Sequence, residues 1–269
     1  MSNDRFLTWI ASYPRSGNTW TRIFLANYLA NMDQPVNINE LPIYGLGFSE
    51  VDPALWEHAT GKKVPPEDEQ IKLRVKVQCA LPEYANKIQE GGTGKNFFVK
   101  CHSLRGTING YHTIAEEATH RSVYLIRDPR SVAASFATFT RMTPAGIVDF
   151  MGDPQSKLGE RQAFQFISSW SFNVWSWQPH SLVVRHEDLP HAFRQITNYL
   201  GLGHDQERFD RAVRFSMMDE LQRQESELGF REGKFGKFFG EQHPPLSEDL
   251  IRRIERDHGD VMRAYGYLK

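Results

Sequence analysis

The stretch "ASYPRSGNTWTRIF", residues 11–24, joins a short apolar segment to an amphipathic one through a turn. The overlapping segment "FLTWIAS" at 6–12 is apolar and rich in β-branched and aromatic side chains, which predicts a buried strand. Turn residues at 13–18 end that strand, and from Thr19 onward apolar side chains recur at helical spacing. A strand, a turn and a helix in this order direct free backbone N–H groups and the positive end of the helix to one place. The stretch therefore predicts a site for a phosphate or sulfate group.

The alternation of strand and helix continues along the chain. Further strands are predicted at 96–100, at 122–126 and within 181–189, and further helices from Pro129, across 160–178, within 193–202 and after a cap at Ser247. The region 33–95, which contains six prolines, is predicted to form loops and short helices beside a substrate entrance. Strands that alternate with helices predict an α/β fold with a central, mostly parallel sheet flanked by helices. The chain of 269 residues shows no repeat or linker and is predicted to form a single domain, 1–269.

The composition argues against several classes of partner. The net charge is −1, with 40% hydrophobic and 24% charged residues, so no overall basic field favours nucleic acid or a membrane surface. The two cysteines, Cys79 and Cys101, have neither metal-ligand spacing nor a disulfide framework, which fits a reducing compartment. The first residues lack an apolar segment long enough for a signal peptide or a membrane span. We therefore expect a cytoplasmic protein that binds neither nucleic acid nor a membrane.

Two groups of polar residues are candidates for chemistry. In the first turn Arg15 supplies a fixed charge, Gly17 permits close approach of the backbone, and the neighbouring polar side chains add hydrogen-bond donors. Alone, such a turn is as compatible with a purely structural connection as with ligand binding. Lys100 and His102 stand two apart at a strand end and point to one face, at the sheet edge where α/β sites usually lie. The ordinary pKa of histidine suits His102 to general-base work near neutrality.

Other patterns are ambiguous or fail. Arg127 closes a strand and Ser135 lies on the next helix, but a surface salt bridge to Asp128 also explains Arg127. The Gly-rich basic segment at 230–240 is equally readable as a solvated loop.

Two apparent motifs are rejected. "GGTGK" at 91–95 lacks the first glycine and the final Ser/Thr of a P-loop, and it precedes a strand. "HEDLPH" at 186–191 places its histidines five apart with a proline between them, so it is not a zinc helix. No metal site is predicted.

Taken together, four of these segments resemble the cytosolic-type sulfotransferases. "YPRSGNTW" at 13–20 resembles that family's 5′-phosphosulfate loop, whose usual form is Tyr-Pro-Lys-Ser-Gly-Thr-Thr-Trp. "KCH" at 100–102 resembles its Lys-x-His catalytic segment, and "RDPRSVAAS" at 127–135 resembles its 3′-phosphate motif. "FREGKFGKF" at 230–238 resembles its late Arg-Lys-Gly-x-x-Gly loop. The four segments follow the family's order along the chain.

The resemblance implies a P-loop-type sulfotransferase fold and a sulfuryl donor, 3′-phosphoadenosine 5′-phosphosulfate (PAPS), whose product is adenosine 3′,5′-bisphosphate (PAP). It implies no metal requirement. The implied donor-binding residues are Arg15, Ser16, Gly17, Asn18, Thr19 and Trp20 around the phosphosulfate, with Trp20 near the adenine, then Arg127, Ser135, Arg231 and Gly233 at the 3′-phosphate, and His186 and Phe215 at the adenine. The implied catalytic residues are His102 as general base, Lys100 and Arg15 as stabilisers of charge, and Ser135 as a group that positions the donor.

The chain departs from the family at three positions. Arg15 replaces the usual lysine and keeps its charge without its geometry, and Asn18 replaces a threonine. Glu232 replaces a lysine that meets the 3′-phosphate, so we expect its side chain to turn outward and Lys234 to substitute. The family's dimerisation motif has no counterpart here, which leaves the oligomeric state open.

Two other functions remain as alternatives to a sulfotransferase. An ATP-dependent P-loop kinase needs a Lys-Ser/Thr pair and an aspartate that holds magnesium, and neither is evident. A non-catalytic module that binds PAP needs neither Lys100 nor His102. The expected acceptor is a small molecule that presents a hydroxyl group, less often an amine. An apolar aryl or alkyl alcohol is favoured over a sugar or a peptide phenol.

Overall fold

A computed structural model describes residues 5–88, 96–159, 163–232, 238–240 and 243–269. The strands within these ranges are β1 Leu7–Ser12, β2 Phe97–Cys101, β3 Thr107–Ile108, β4 Tyr111–His112, β5 Thr119–Ile126, β6 Lys157–Leu158, β7 Gln165–Phe166 and β8 Leu182–Arg185. The main sheet has the order β2-β1-β5-β8, and all its pairings are parallel. Two small antiparallel pairs, β3 with β4 and β6 with β7, lie outside it. The predicted α/β class with a mostly parallel sheet is confirmed.

Helices cover both faces of this sheet. They are α1 Asn18–Ala30, α2 Pro53–Thr60, α3 Glu67–Cys79, α4 Leu81–Ile88, α5 Pro129–Thr140, α6 Pro144–Gly152, α7 Trp170–Trp177, α8 Phe193–Leu200, α9 Gln206–Arg214, α10 Met218–Leu228 and α11 Glu248–Ala264. Successive residues of a strand point to opposite faces, so Trp9 of β1 enters one apolar cluster and Ile10 enters the other. Trp170 and Trp177 of α7 share the first cluster, and Phe24 of α1 packs in the second. Burial on both faces explains why apolar residues occupy successive positions in these strands instead of alternate ones.

The predicted helix at 160–178 is wrong in its first half. Residues 160–162 lie outside the described residues, and Gln165–Phe166 form β7. Side chains from elsewhere hold this backbone extended, since Gln70 Oε1 accepts from Phe164 N at 2.6 Å and Ser103 Oγ accepts from Phe166 N at 3.0 Å. The helix begins only at Trp170, after a Ser169 cap.

Strand order brings three chain segments to one edge of the sheet. β1 lies between β2 and β5, with Ala11 in register with Cys101 on one side and with Tyr124 on the other. The turn after β1 therefore lies between the carboxyl ends of β2 and β5, where ligands usually bind in open parallel sheets. This edge carries the predicted site.

Candidate active site

The turn between β1 and α1 has an unusual backbone. Arg15 and Gly17 both adopt left-handed conformations, with φ of 68° and 96°. A Cβ at position 17 would lie 2.7 Å from His186 Nδ1, so only glycine fits beneath that ring. Asn18 Nδ2 donates to Ile10 O at 2.7 Å and ties the start of α1 to β1. A strained, tightly fixed turn at this sheet edge is typical of a ligand-binding loop.

An open cavity of about 900 Å³ lies over this turn. It gathers the predicted residues Arg15, Ser16, Gly17, Asn18, Thr19, Trp20, Lys100, His102, Arg127, Ser135, His186 and Arg231. Phe215 does not line it; the neighbouring Ser216 O accepts from Trp20 Nε1 at 2.6 Å, and Met218 contributes to the wall. Gly233 and Lys234 lie outside the described residues. The carboxyl ends of the four strands of the main sheet, together with Arg231, thus meet in one cavity.

Several polar atoms in the cavity wall are buried and lack partners. Among the described residues, Ser16 Oγ, Asn18 Oδ1 and His186 Nδ1 make no hydrogen bond. Native proteins leave few buried polar groups unpaired, so a cluster of them at a cavity indicates a polar ligand. The burial of His186, with Arg127 and Arg15 nearby, lowers its pKa to about 3, so the ring is neutral. Together with the cations of Arg15 and Arg127, these groups suit a polar ligand with anionic oxygens.

Arg15 is held from three sides. Its Nε donates to Ser135 Oγ at 3.0 Å, and its backbone oxygen accepts from Arg127 Nη1 at 3.0 Å. Its guanidinium lies 4.6 Å from the ring centre of Phe139 and 4.4 Å from that of Phe238. Arg127 donates to the turn, and no ion pair within 4 Å joins it to Asp128 among the described residues, so the alternative of a salt bridge there is not supported. The Asp128 carboxylate instead pairs with Arg130, at 2.7 Å.

We expect Arg15→Lys to weaken PAP binding about tenfold. The planar guanidinium of Arg15 donates to Ser135 and at the same time lies between the rings of Phe139 and Phe238. A lysine keeps the charge but has no planar group that can do both. Loss of a partly desolvated cation–π contact, about 1–2 kcal/mol, corresponds to that change. Calorimetry measures it, with Arg214→Lys as control, because Arg214 stacks on Phe215 outside the cavity lining. Equal or tighter PAP binding by Arg15→Lys would show that the position of the guanidinium between Phe139 and Phe238 does not contribute to PAP binding.

His102 sits beside Lys100 with a defined tautomer. Its Nδ1 lies 2.7 Å from Ser12 O, and a carbonyl oxygen only accepts hydrogen bonds, so Nδ1 carries the proton. The lone pair is therefore on Nε2. Burial, and then the Lys100 charge, lower the pKa of His102 to about 3, instead of the near-neutral value expected from the residue type. The ring is neutral and can accept a proton at Nε2.

Glu232 points into the cavity, so the expected outward orientation is wrong. Its Oε1 accepts from Arg22 Nη2 at 2.5 Å, and its Oε2 lies 3.4 Å from Lys100 Nζ and 3.4 Å from Thr19 Oγ1. Burial raises the pKa of Glu232, but the charges of Arg22 and Lys100 outweigh it and lower the pKa to about 2. Burial lowers the pKa of Lys100, and Glu232 opposes that effect. The inward orientation arises because Arg22, a buried cation, requires an anionic partner.

Glu50 and Arg74, which no sequence pattern predicted, fix the backbone at His102 and Ser103. Glu50 Oε1 accepts from His102 N at 2.8 Å and from Ser103 N at 2.9 Å, while Oε2 accepts from Arg74 Nη1 at 2.7 Å. Both charged side chains are fully buried. On the other side, Asn173 Nδ2 donates to His102 O at 3.0 Å. No sequence motif marks Glu50 or Arg74. Both lie in the proline-rich region 33–95, for which the sequence predicts only loops and short helices.

The described ranges contain no group of three or more His, Cys, Asp or Glu residues arranged to hold a metal ion. None of the helices in these ranges combines the length and the apolar character that a membrane crossing requires.

Comparisons with known proteins reveal similarity at the level of structure. The sequence matches no protein-family model, and a search of curated proteins finds no match either. Similar solved structures include retinol dehydratase in complex with androsterone and the inactive cofactor PAP, with a TM-score of 0.57, 15% identity, and coverage of 97% of this chain and 81% of that chain. Retinol dehydratase in a complex with retinol and PAP gives a TM-score of 0.54, 14% identity, and coverage of 97% and 82%. Mouse sulfotransferase SULT7A1 complexed with PAP gives a TM-score of 0.52, 15% identity, and coverage of 98% and 85%. The chain therefore has the fold of these PAP-bound proteins.

Proposed function

We propose that this chain is a sulfotransferase that moves a sulfuryl group from PAPS to a hydroxyl group of a small molecule. One observation carries the proposal. Neutral His102 and cationic Lys100 line the same cavity as the turn Arg15–Trp20. The shared fold with PAP-bound structures supports it. We propose no metal for the reaction. Both cysteines are free, which supports a cytoplasmic location.

In this proposal the cavity wall recognises the donor in two places. The turn from Arg15 to Thr19 holds the phosphosulfate with backbone N–H groups, the Ser16 hydroxyl and the Arg15 guanidinium. Arg127, Arg231 and the Ser135 hydroxyl hold the 3′-phosphate, with Gly233 as the family resemblance implies. Ser135 Oγ accepts from Arg15, so its own proton remains to donate to a phosphate oxygen. Trp20 and His186, whose rings meet edge to face at 5.9 Å, border the adenine.

Transfer depends on His102, Lys100 and Arg15. His102 Nε2 takes the proton of the acceptor hydroxyl as its oxygen attacks the sulfur, and the bond from sulfur to the bridging phosphate oxygen breaks. Lys100 and Arg15 stabilise the charge that develops on that oxygen and on the sulfuryl group, which is usually the largest catalytic contribution. An anionic donor between these cations offsets the charges that lower the pKa of His102, so the basicity of the ring rises in the complex.

The cavity lining also has apolar side chains, among them Val51, Phe136, Phe139, Leu158 and Phe238. Such a lining favours an apolar aryl or alkyl alcohol over a sugar, because sugar hydroxyls placed there lose hydrogen bonds to water. The complexes of retinol dehydratase with retinol and androsterone support a small-molecule acceptor.

Transfer of label from sulfur-labelled PAPS to a panel of alcohols, phenols and amines tests the proposal. We expect labelled product in the presence of a metal chelator, with apolar alcohols or phenols as the best acceptors. Transfer to no acceptor, by protein that binds PAP, would favour the non-catalytic PAP-binding module. A requirement for magnesium and ATP would favour the kinase.

A further inference from the structure

The Glu232 carboxylate occupies a position built for an anion. Thr19 belongs to the phosphosulfate turn and Lys100 to the catalytic strand end, and Glu232 Oε2 lies 3.4 Å from a polar side-chain atom of each. The carboxylate is ionised, so it interacts with Lys100 as a full negative charge. The protein's own side chain thus lies where the proposed reaction requires the group in transfer.

The two oxygens of Glu232 have different partners. Oε1 accepts from Arg22, a buried residue of α1. Arg22 Nη1 also donates to Leu46 O at 3.1 Å, which fixes the guanidinium in place. Oε2 contacts only cavity-lining groups, Lys100 and Thr19, among the described residues. Oε2 can therefore leave Lys100 while Oε1 keeps the buried Arg22 paired.

A sulfuryl group and the Glu232 carboxylate compete for these contacts. Both are anionic oxygen groups that accept from Lys100 and Thr19, and two anions at hydrogen-bond distance from the same donors repel each other strongly. PAP differs from PAPS by lacking the sulfuryl group. PAP can therefore bind with the Glu232–Lys100 contact in place, whereas PAPS has to displace it.

We propose that Glu232 is a placeholder for the sulfuryl group, an inference that rests on the proposed sulfotransferase function. Glu232 holds Lys100 and Thr19 when PAPS is absent, gives up the Oε2 contacts when PAPS binds, and regains them after transfer. The contact weakens binding of the donor selectively. It also keeps the Lys100 charge paired in the product complex, where the transferred group is gone.

Calorimetric titration of Glu232→Gln with PAPS and with PAP, in the absence of acceptor, tests this inference. The amide still accepts from Arg22 but no longer carries the competing charge. We expect PAPS binding to tighten about tenfold or more and PAP binding to change less than about threefold. Glu227→Gln is the matched control, since Glu227 is an exposed glutamate of α10 that pairs with Arg223 outside the cavity lining.

A second variant, Glu232→Asp, separates two effects of the carboxylate on PAPS: competition for the contacts with Lys100 and Thr19, and long-range repulsion between the two negative charges. Aspartate keeps the charge, but its shorter side chain cannot reach Arg22 and Lys100 together. If Glu232 is a placeholder, PAPS also binds more tightly to Glu232→Asp. This variant tests the inference if Glu232→Gln fails to fold. Equal tightening of PAPS and PAP in Glu232→Gln, or unchanged or weaker PAPS binding in the folded variants, would overturn the inference. Wild-type protein that binds neither ligand would contradict the proposed function itself, and the inference with it.

Discussion

Replacement of His102 by alanine is expected to lower the turnover number about 10²–10⁴-fold, the usual contribution of a general base. PAP binding should change by less than about threefold, because His102 lies at the end of β2 and not in the turn that is proposed to hold the donor. The neutral ring carries its proton on Nδ1 toward Ser12 O, so its Nε2 is suited to take a proton. Steady-state transfer of label and calorimetry measure the two effects separately.

The identity of the acceptor sharpens this test. An acidic phenol already presents a reactive oxygen and needs the base less than an aliphatic alcohol does, so the loss in His102→Ala should be smaller for the phenol. His112→Ala is the matched control, because His112 is an exposed histidine on β4 and should leave turnover unchanged. Wild-type turnover of an aliphatic alcohol by His102→Ala would show that another group removes the proton.

Replacement of Glu50 by alanine is expected to lower the free energy of unfolding by about 3–5 kcal/mol. The change leaves the fully buried Arg74 guanidinium without its carboxylate, and removal of one partner of a buried ion pair has an effect of that size. It also removes the acceptor of the His102 and Ser103 backbone N–H groups. Urea unfolding measures the loss.

Two further variants show whether the ion pair is the cause. Glu57→Ala removes an exposed glutamate that pairs with Lys63 at 3.5 Å and should change stability by less than about 0.5 kcal/mol. Glu50→Leu combined with Arg74→Met should destabilise much less than Glu50→Ala, because no unpaired charge remains buried. If Glu50→Ala lowered the free energy of unfolding by less than about 1 kcal/mol, the buried ion pair would not be holding the backbone at His102 and Ser103 in place.

The parts of the fold and site that the sequence predicted depend on local patterns. The strand, turn and helix at the first turn are encoded by neighbouring residues, and Lys100 and His102 share a face because of the two-residue period of a strand. Parallel strands in alternation with helices then bring the strand ends to one edge.

The parts that the sequence did not predict depend on distant partners. Glu50 reaches His102 across 52 positions, and Glu232 reaches Arg22 across 210 positions. No local period encodes such a pair, because the need for it arises only when a charge is buried in the folded chain. Phe215 is the opposite case, a residue that was predicted but does not line the cavity. It was assigned from the family resemblance alone.

The proposed function requires that the cavity bind PAPS and its product PAP without a metal. Calorimetric titration with PAP and with ATP, each in magnesium and in a chelator, tests it most directly. Binding of PAP in the micromolar range or tighter, unchanged by magnesium and stronger than that of ATP under both conditions, is the predicted result. Preferential binding of magnesium-ATP would contradict the proposed sulfotransferase function and favour a P-loop kinase.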